Sequence, residues 1–280
     1  MSAMRQTTGS MICPHCSKLI SVSEERCPFC GAWNPSLYGY APALQKLFGR
    51  QLDIVPLIVI TCVVLYVTAL ALQPEGIFDL RSPLQFLSPG TRALYQLGMT
   101  SRLAMDQHWW WTLLTAIYLH GGLLHIFFNV LWIRNLGPPA TEIYGPARAF
   151  VIFSIAGAAG FLVSNLVSGG PTIGASGSIF GLMAALIVYG RKRGISMLTA
   201  QLWQWAAITF VMGFVLSGVN NWAHAGGFAG GWLTATAMRF DDEKRESVGV
   251  QILALLLFLA TAAGFVLSFI RVTGLILFSR

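Results

Sequence analysis

Ser176, in the run GASGSIFGL, and His224, in AHAGGFAGG, place a hydroxyl and an imidazole inside apolar stretches, where polar side chains are costly. Each stands 15 residues before the basic residue that closes its stretch (191 − 176 and 239 − 224, for Arg191 and Arg239). At about 1.5 Å per helical residue, both lie roughly 22 Å from that end, several ångströms inside the far face of a bilayer core about 30 Å thick. A serine and a histidine at one level suggest a nucleophile and its base. A third stretch, HGGLLHIFFN, adds His120, His125 and Asn129. His125 and Asn129 are four residues apart and share a helix face. His125 lies 13 residues before Pro138, where the double proline is expected to stop the helix, and this count puts it near the same depth.

Each group fits a step of acyl transfer. Ser176 attacks, and His224 takes its proton and later returns it to the leaving amine. The side chains of His125 and Asn129, with the backbone N–H of Ser176 at a helix start, supply donors for the oxyanion. His224, Gly227 and Gly231 follow i, i+3, i+7, and Gly177 and Gly181 form a small-xxx-small pair. Such glycines let two helix backbones approach until a short serine side chain reaches the ring. Phe180, one turn below Ser176, is placed to pack on the His224 ring. All eleven acidic residues lie outside the apolar stretches or at their ends, so a dyad without an orienting carboxylate is expected. The same distribution excludes a two-aspartate membrane protease. HGGLLH lacks the glutamate of HExxH, so catalysis is expected to need no metal and no cofactor. Taken singly, a membrane serine is more often a packing residue and a buried histidine a satisfied polar group. Their common depth on three stretches is what raises the joint reading.

The elements that must hold these groups are membrane helices. The chain is 55% hydrophobic and 10% charged, with a mean hydropathy of +0.64. Seven spans are read near residues 53–72, 113–134, 148–168, 175–190, 199–216, 223–239 and 249–271. If the N-terminus is cytoplasmic, 13 of the 18 Lys and Arg residues fall on inside segments, leaving Arg81, Arg92, Arg102, Arg271 and Arg280 outside. The N-terminus is therefore expected inside and the C-terminus outside. The net charge of +7 then serves anchoring and requires no nucleic-acid partner. The long segment 73–112, with Phe78, Leu80, Leu84 and Trp109–Trp111, is expected half-sunk in the interface. Residues 217–222 read as a candidate lid, and the run DDEKRE at 241–246 as a solvated loop.

Residues 1–35 form a separate polar module. Cys13-Pro-His-Cys16 and Cys27-Pro-Phe-Cys30 are two CxxC knuckles ten residues apart, a pattern that suits four thiolates around tetrahedral zinc. A disulfide pair and a rubredoxin-type iron set are the alternatives; cytoplasmic placement argues against the disulfides. His15 reads as a surface residue and Cys62 as an apolar filler. A linker, 36–52, ends in a stretch (ALQKLFGRQL) suited to lying on the membrane surface. The expected division is 1–35 zinc ribbon, 36–52 linker, 53–240 transmembrane core, and 241–280 loop and seventh span.

The segments WWWTLLTAIYLHGGLLHIFFN, YGPARAF, GASGSIFGL and NNWAHAGGFAGG, over roughly residues 95–240, together resemble the rhomboid family of intramembrane serine proteases. The resemblance implies an all-α, six-helix transmembrane core with a seventh C-terminal span. It implies Ser176 and His224 as the catalytic dyad, His125 and Asn129 beside the oxyanion, and His120 in support near the first loop. It also implies cleavage of transmembrane protein substrates near the outer membrane face, with water reaching the serine from that side and membrane lipid around the bundle. The sequence departs from the family pattern at Trp111-Thr112, where Trp-Arg is frequent, so the anchor of the first loop is left open. A multi-pass protein of a bacterial inner membrane is the expected location, with the ribbon holding a cytoplasmic partner of unknown identity. The alternative is a non-catalytic rhomboid-like adaptor or chaperone. A small transporter is disfavoured by the lack of buried carboxylates and of inverted repeats.

Overall fold

In the computed structural model the described residues are 5–14, 16, 18–43, 54–74, 86–216, 218–238 and 246–278. The readings of His15, of 44–52, of Phe78, Leu80 and Leu84, of Ser217 and of 241–245 lie outside them. The chain divides into two units, Met1–Ile54 and Val55–Arg280.

In the first unit, β1 (Ser10–Ile12) and β2 (Leu19–Ser21) form an antiparallel hairpin with Met11 opposite Ile20. Period-two alternation sends Met11, Ile20 and Val22 inward, where they meet Cys13, Cys27 and Ala41. This core is too small to hold a fold of some forty residues unaided, which is the situation in which a metal or disulfides take over.

The second unit is helical. Its elements are α1 (Ile54–Leu72), α2 (Thr91–Gln96), α3 (Arg102–Asp106), α4 (Thr112–Thr115) running into a 3-10 turn (Ala116–Tyr118), α5 (Leu123–Tyr144), α6 (Pro146–Val167), α7 (Ser176–Arg193), α8 (Ser196–Val215), α9 (Asn221–Ala237) and α10 (Val248–Phe278). Helices α1, α6, α8 and α10 are long and apolar enough to cross a membrane. They turn large apolar side chains outward, such as Val64 on α1, Phe214 on α8 and Leu256 on α10. In water that surface is a liability; in lipid it is the solvated face. Two hydroxyls on these helices are satisfied within the helix: Thr68 donates to the Val64 carbonyl and Thr261 to that of Leu257, each at 2.8 Å.

Two expectations are corrected. The stretch read as one span at 113–134 is broken at His120-Gly121-Gly122, and its halves meet at 94°. The double proline does not stop the helix: Pro138 and Pro139 sit inside α5, which continues to Tyr144. Packing outweighs the local penalty of about 3 kcal/mol. Gly137 fits closely against Val55 of α1, and the Tyr144 hydroxyl donates to the Ala185 carbonyl of α7 at 2.7 Å.

The helices carrying Ser176 and His224 are the short ones. The 18 residues of α7 end in Arg191-Lys192-Arg193, and α9 has 17 residues. Both fall short of an unaided span; α7 is enclosed by protein, while α9 buries one face and exposes Trp222 and Leu233 on the other. Residues 177–188 of α7 are all buried, with α5, α6, α8 and α9 packed around them. With their C-terminal ends held by basic residues, such short helices begin below the opposite surface, and the polar groups of their first turns are enclosed by the bundle.

Candidate functional site

Ser176 is the first residue of α7, and His224 lies on the first turn of α9. Their helices touch through glycines. A Cβ on Gly227 would collide with the backbone of Gly177, and one on Gly231 with that of Gly181. Backbone-to-backbone contact of this kind brings the axes as close as helices pack. At that separation the Ser176 hydroxyl stands 2.9 Å from Nε2 of His224. The ring is held from its face by Phe180, stacked at 4.4 Å and 17°. His224 is 4% exposed, while Ser176 keeps part of its surface open. Nδ1 of His224 is buried without a hydrogen-bond partner among the described residues, so stacking rather than a carboxylate orients the base.

His125 reaches the same place from α5. The backbone N–H of Gly121 donates to its Nδ1 at 3.3 Å, which leaves the proton of the neutral ring on Nε2. That nitrogen faces Gly174, two residues before Ser176: a Cβ there would stand 2.6 Å from it. Gly174 has φ +118°, and its N–H donates to the Ala116 carbonyl at 2.9 Å. Only glycine supplies both the backbone angle and the space for the imidazole. The ring also meets His120 edge-on, with centroids 5.1 Å apart and 64° between planes. His120 is wholly buried in the break before α5. Neither of its nitrogens makes a full hydrogen bond to a described residue, although the Tyr118 carbonyl lies near.

Asn129 lies one turn after His125 on α5. Its Nδ2 donates to the His125 carbonyl on its own helix at 2.8 Å, and its Oδ1 is buried without a partner. One N–H of the amide remains for a ligand. Ser178 points elsewhere, buried against Gly157.

A second layer fixes the ends of these helices. The Asn220 side chain accepts from the Ala223 N–H at 3.2 Å, capping α9, and donates to Ser164 at 2.6 Å and Thr172 at 3.1 Å. It thereby ties the start of α9 to α6 and to the turn before α7. Asn220→Ala is expected to lower stability by about 1–3 kcal/mol, since the cap is lost and two hydroxyls lose a donor. Thermal unfolding in detergent measures it, with Asn220→Asp, which keeps the cap alone, falling between. The first loop is anchored without Trp-Arg. Thr112 donates to the Trp109 carbonyl at 2.7 Å and lies 3.1 Å from Thr100, which accepts from Asn165 of α6 at 2.9 Å. Arg102 closes the C-terminal end of α6, donating to the Asn165 and Leu166 carbonyls. Sequence reasoning named Thr112 and Arg102 without these bonds and gave no role to Thr100, Asn165 or Asn220; of these, Asn220, just before an apolar periodic run, carried a readable capping signal.

Residues 107–241 match the family model described as Rhomboid domain. This chain carries a rhomboid domain. It is 33% identical over 181 residues to Rhomboid protease GluP of Bacillus subtilis (strain 168), covering 64% of this chain and 35% of that protein. It is 31% identical over 182 residues to RHOMBOID-like protein 1 of Arabidopsis thaliana, covering 61% and 44%. It is 31% identical over 170 residues to Inactive RHOMBOID-like protein 8 of the same plant, covering 57% and 47%. The matched segments thus span half or less of the length of these relatives. With its apolar helices, the rhomboid domain makes this a multi-pass membrane protein.

In the first unit, the sulfurs of Cys13, Cys16, Cys27 and Cys30 lie within 4.8 Å of one another, and none is in a disulfide. Cys13 and Cys30 are 3.9 Å apart and Cys16 and Cys27 3.6 Å, close to the roughly 3.8 Å edge of a tetrahedron with 2.3 Å zinc–sulfur bonds. Burial acts to raise the Cys27 thiol, but the backbone N–H groups of Phe29 and Cys30 and the side chains of Cys30 and Cys16 outweigh it, and its pKa falls to about 7. Burial raises the Cys30 thiol. These four side chains could hold a metal ion; among the described residues they are the one such group of three or more His, Cys, Asp or Glu.

Proposed function

We propose that this chain is an intramembrane serine endopeptidase that hydrolyses transmembrane protein substrates near the outer membrane face. The observation that carries the reading is the 2.9 Å hydrogen bond between Ser176 and His224, inside a rhomboid domain. With the Nε2 lone pair accepting the hydroxyl proton, Ser176 Oγ attacks the scissile carbonyl and the proton passes to His224. The carbonyl oxygen gains charge beside the backbone N–H of Ser176, Nε2–H of His125 and the remaining N–H of Asn129. His224 then gives its proton to the departing amine. Water, deprotonated by the same ring, releases the acyl group, and His224 protonates Ser176 again. His120 supports His125 from its edge, and Gly227 and Gly231 set the helix separation. Three positions at the start of α7, α9 and α5 thus do chemistry that no single helix could assemble.

The Lys and Arg distribution supports an N-terminus inside and a C-terminus outside, which puts the dyad toward the outer leaflet of a bacterial inner membrane. Cys13, Cys16, Cys27 and Cys30 fit zinc, which would cross-link the ribbon of residues 1–35 and take no part in hydrolysis. The ribbon is then an accessory module for a cytoplasmic partner. A strong zinc chelator is expected to make residues 5–43 protease-sensitive and to leave substrate cleavage unchanged; limited proteolysis and a cleavage assay on one sample check both.

The reading is tested with the full chain in liposomes holding a single-span reporter, its products mapped by mass spectrometry. It expects one cut within the reporter's membrane-proximal residues. A relative named as inactive keeps the adaptor reading in play. That reading expects the reporter to co-purify intact.

A further inference from the structure

The first loop and α10 enclose a cavity that the dyad does not use. It has a volume of about 650 Å³ and is lined by Thr91, Arg92, Tyr95, Leu103, Trp109 and Val272, with Ala104 and Gln107. The loop and α10 are pinned together beside it by two side-chain hydrogen bonds. Trp111 Nε1 donates to Ser268 at 2.9 Å, and Gln96 donates to Thr273 at 3.3 Å. The cavity is therefore a fixture of the packing, with Ala104 and Val272 buried in its floor and Thr91, Arg92 and Leu103 exposed at its rim. Its lining holds one full charge, the Arg92 guanidinium, and no carboxylate. Tyr95 and Trp109 are the residue types that sit at the headgroup level of a bilayer.

An apolar cleft on a membrane-embedded surface takes up what surrounds it, and what surrounds it is lipid. Its volume lies within the range of small-molecule sites. A cation at the mouth of such a cleft meets a phosphodiester, and worth of about 1 kcal/mol per basic residue is ordinary near a membrane surface. We propose that this cavity is a phospholipid site, with an acyl chain against Leu103, Trp109 and Val272 and the phosphate on Arg92. The site favours an anionic headgroup over a zwitterionic one, because the choline of the latter brings a second cation to Arg92. It belongs to the loop–α10 contact and stands whether or not Ser176 is a nucleophile.

The test is native mass spectrometry of the full chain in detergent, titrated with palmitoyl-oleoyl phosphatidylglycerol or phosphatidylcholine. One saturable phosphatidylglycerol is expected, bound more tightly than phosphatidylcholine. Arg92→Gln weakens phosphatidylglycerol about five-fold, the equivalent of about 1 kcal/mol, and removes the preference between the two lipids. Leu103→Trp fills the cleft from its exposed rim and weakens both lipids about ten-fold or more, as does Thr91→Trp from the other side. Thermal unfolding verifies that each variant is folded. If the two tryptophan variants bind like the parent chain, or Arg92→Gln leaves the preference intact, the proposal is overturned. The Ser176→Ala chain gives the same lipid titration, so this result separates from any failure of the hydrolase reading.

Discussion

Ser176→Ala is expected to lower cleavage of a transmembrane reporter by on the order of 10⁴-fold or more, with the protein still folded. The size follows from the geometry. Among the described residues, Ser176 Oγ is the one hydroxyl bonded to His224, and no second hydroxyl there is placed to replace it. Ser178, two residues on, is buried against Gly157, and Ser178→Ala is expected to change the rate by no more than a few-fold. His224→Ala is expected to match Ser176→Ala, and the double variant to fall no further, because hydroxyl and imidazole act as one unit. Initial rates in liposomes, with circular dichroism as the fold control, check all four proteins. Independent, multiplying losses in the double variant would argue that the two side chains do not share a proton.

The next largest effect is expected at a residue that touches no substrate. Gly227→Ala places a methyl group onto the backbone of Gly177, where no flexible side chain can yield. The helices must separate, at a cost of about 1–3 kcal/mol. A shift of about 1 Å stretches the Ser176–His224 contact beyond a hydrogen bond and is expected to cut turnover about 10²-fold. The loss should fall mainly on kcat rather than KM, since the face that receives substrate is unchanged. Thermal unfolding together with reporter kinetics separates the two consequences. Gly274→Ala, inside helix α10 where a Cβ meets nothing within 4 Å, controls for the intrinsic effect of replacing a helical glycine.

The residues themselves reported much of this. Apolar stretches gave helix positions to within a few residues at α1, α6, α8 and α9, because a helix in lipid must be apolar over its length. Equal spacing from Arg191 and Arg239 marked Ser176 and His224 as level, since basic residues hold helix ends at the interface. The small-xxx-small register anticipated glycine contact, which the structure pairs as Gly177 with Gly227 and Gly181 with Gly231. What local rules missed was decided by distant residues. The prolines of α5 are carried through by the bundle around them, whereas a chain-local argument ends the helix there. The break at His120-Gly121-Gly122 aims His125 toward Gly174; the Gly-Gly pair signals a break, and the single-span reading of 113–134 passed over it. The anchor of the first loop joins Thr100, Thr112 and Asn165, whose separations of 12 and 65 residues carry no periodic signal. The carboxylate of Glu246, raised by burial, receives the Arg148 N–H at 2.8 Å across 98 residues, and it too was invisible as a cap.

The central claim is that an imidazole across 2.9 Å makes Ser176 nucleophilic within a membrane. The most direct measurement is peptide mapping of the liposome-reconstituted chain after reaction with a fluorophosphonate. A single adduct on Ser176, absent from the His224→Ala protein, is the predicted result. No adduct on Ser176, or an equal one when His224 is alanine, would contradict the claim.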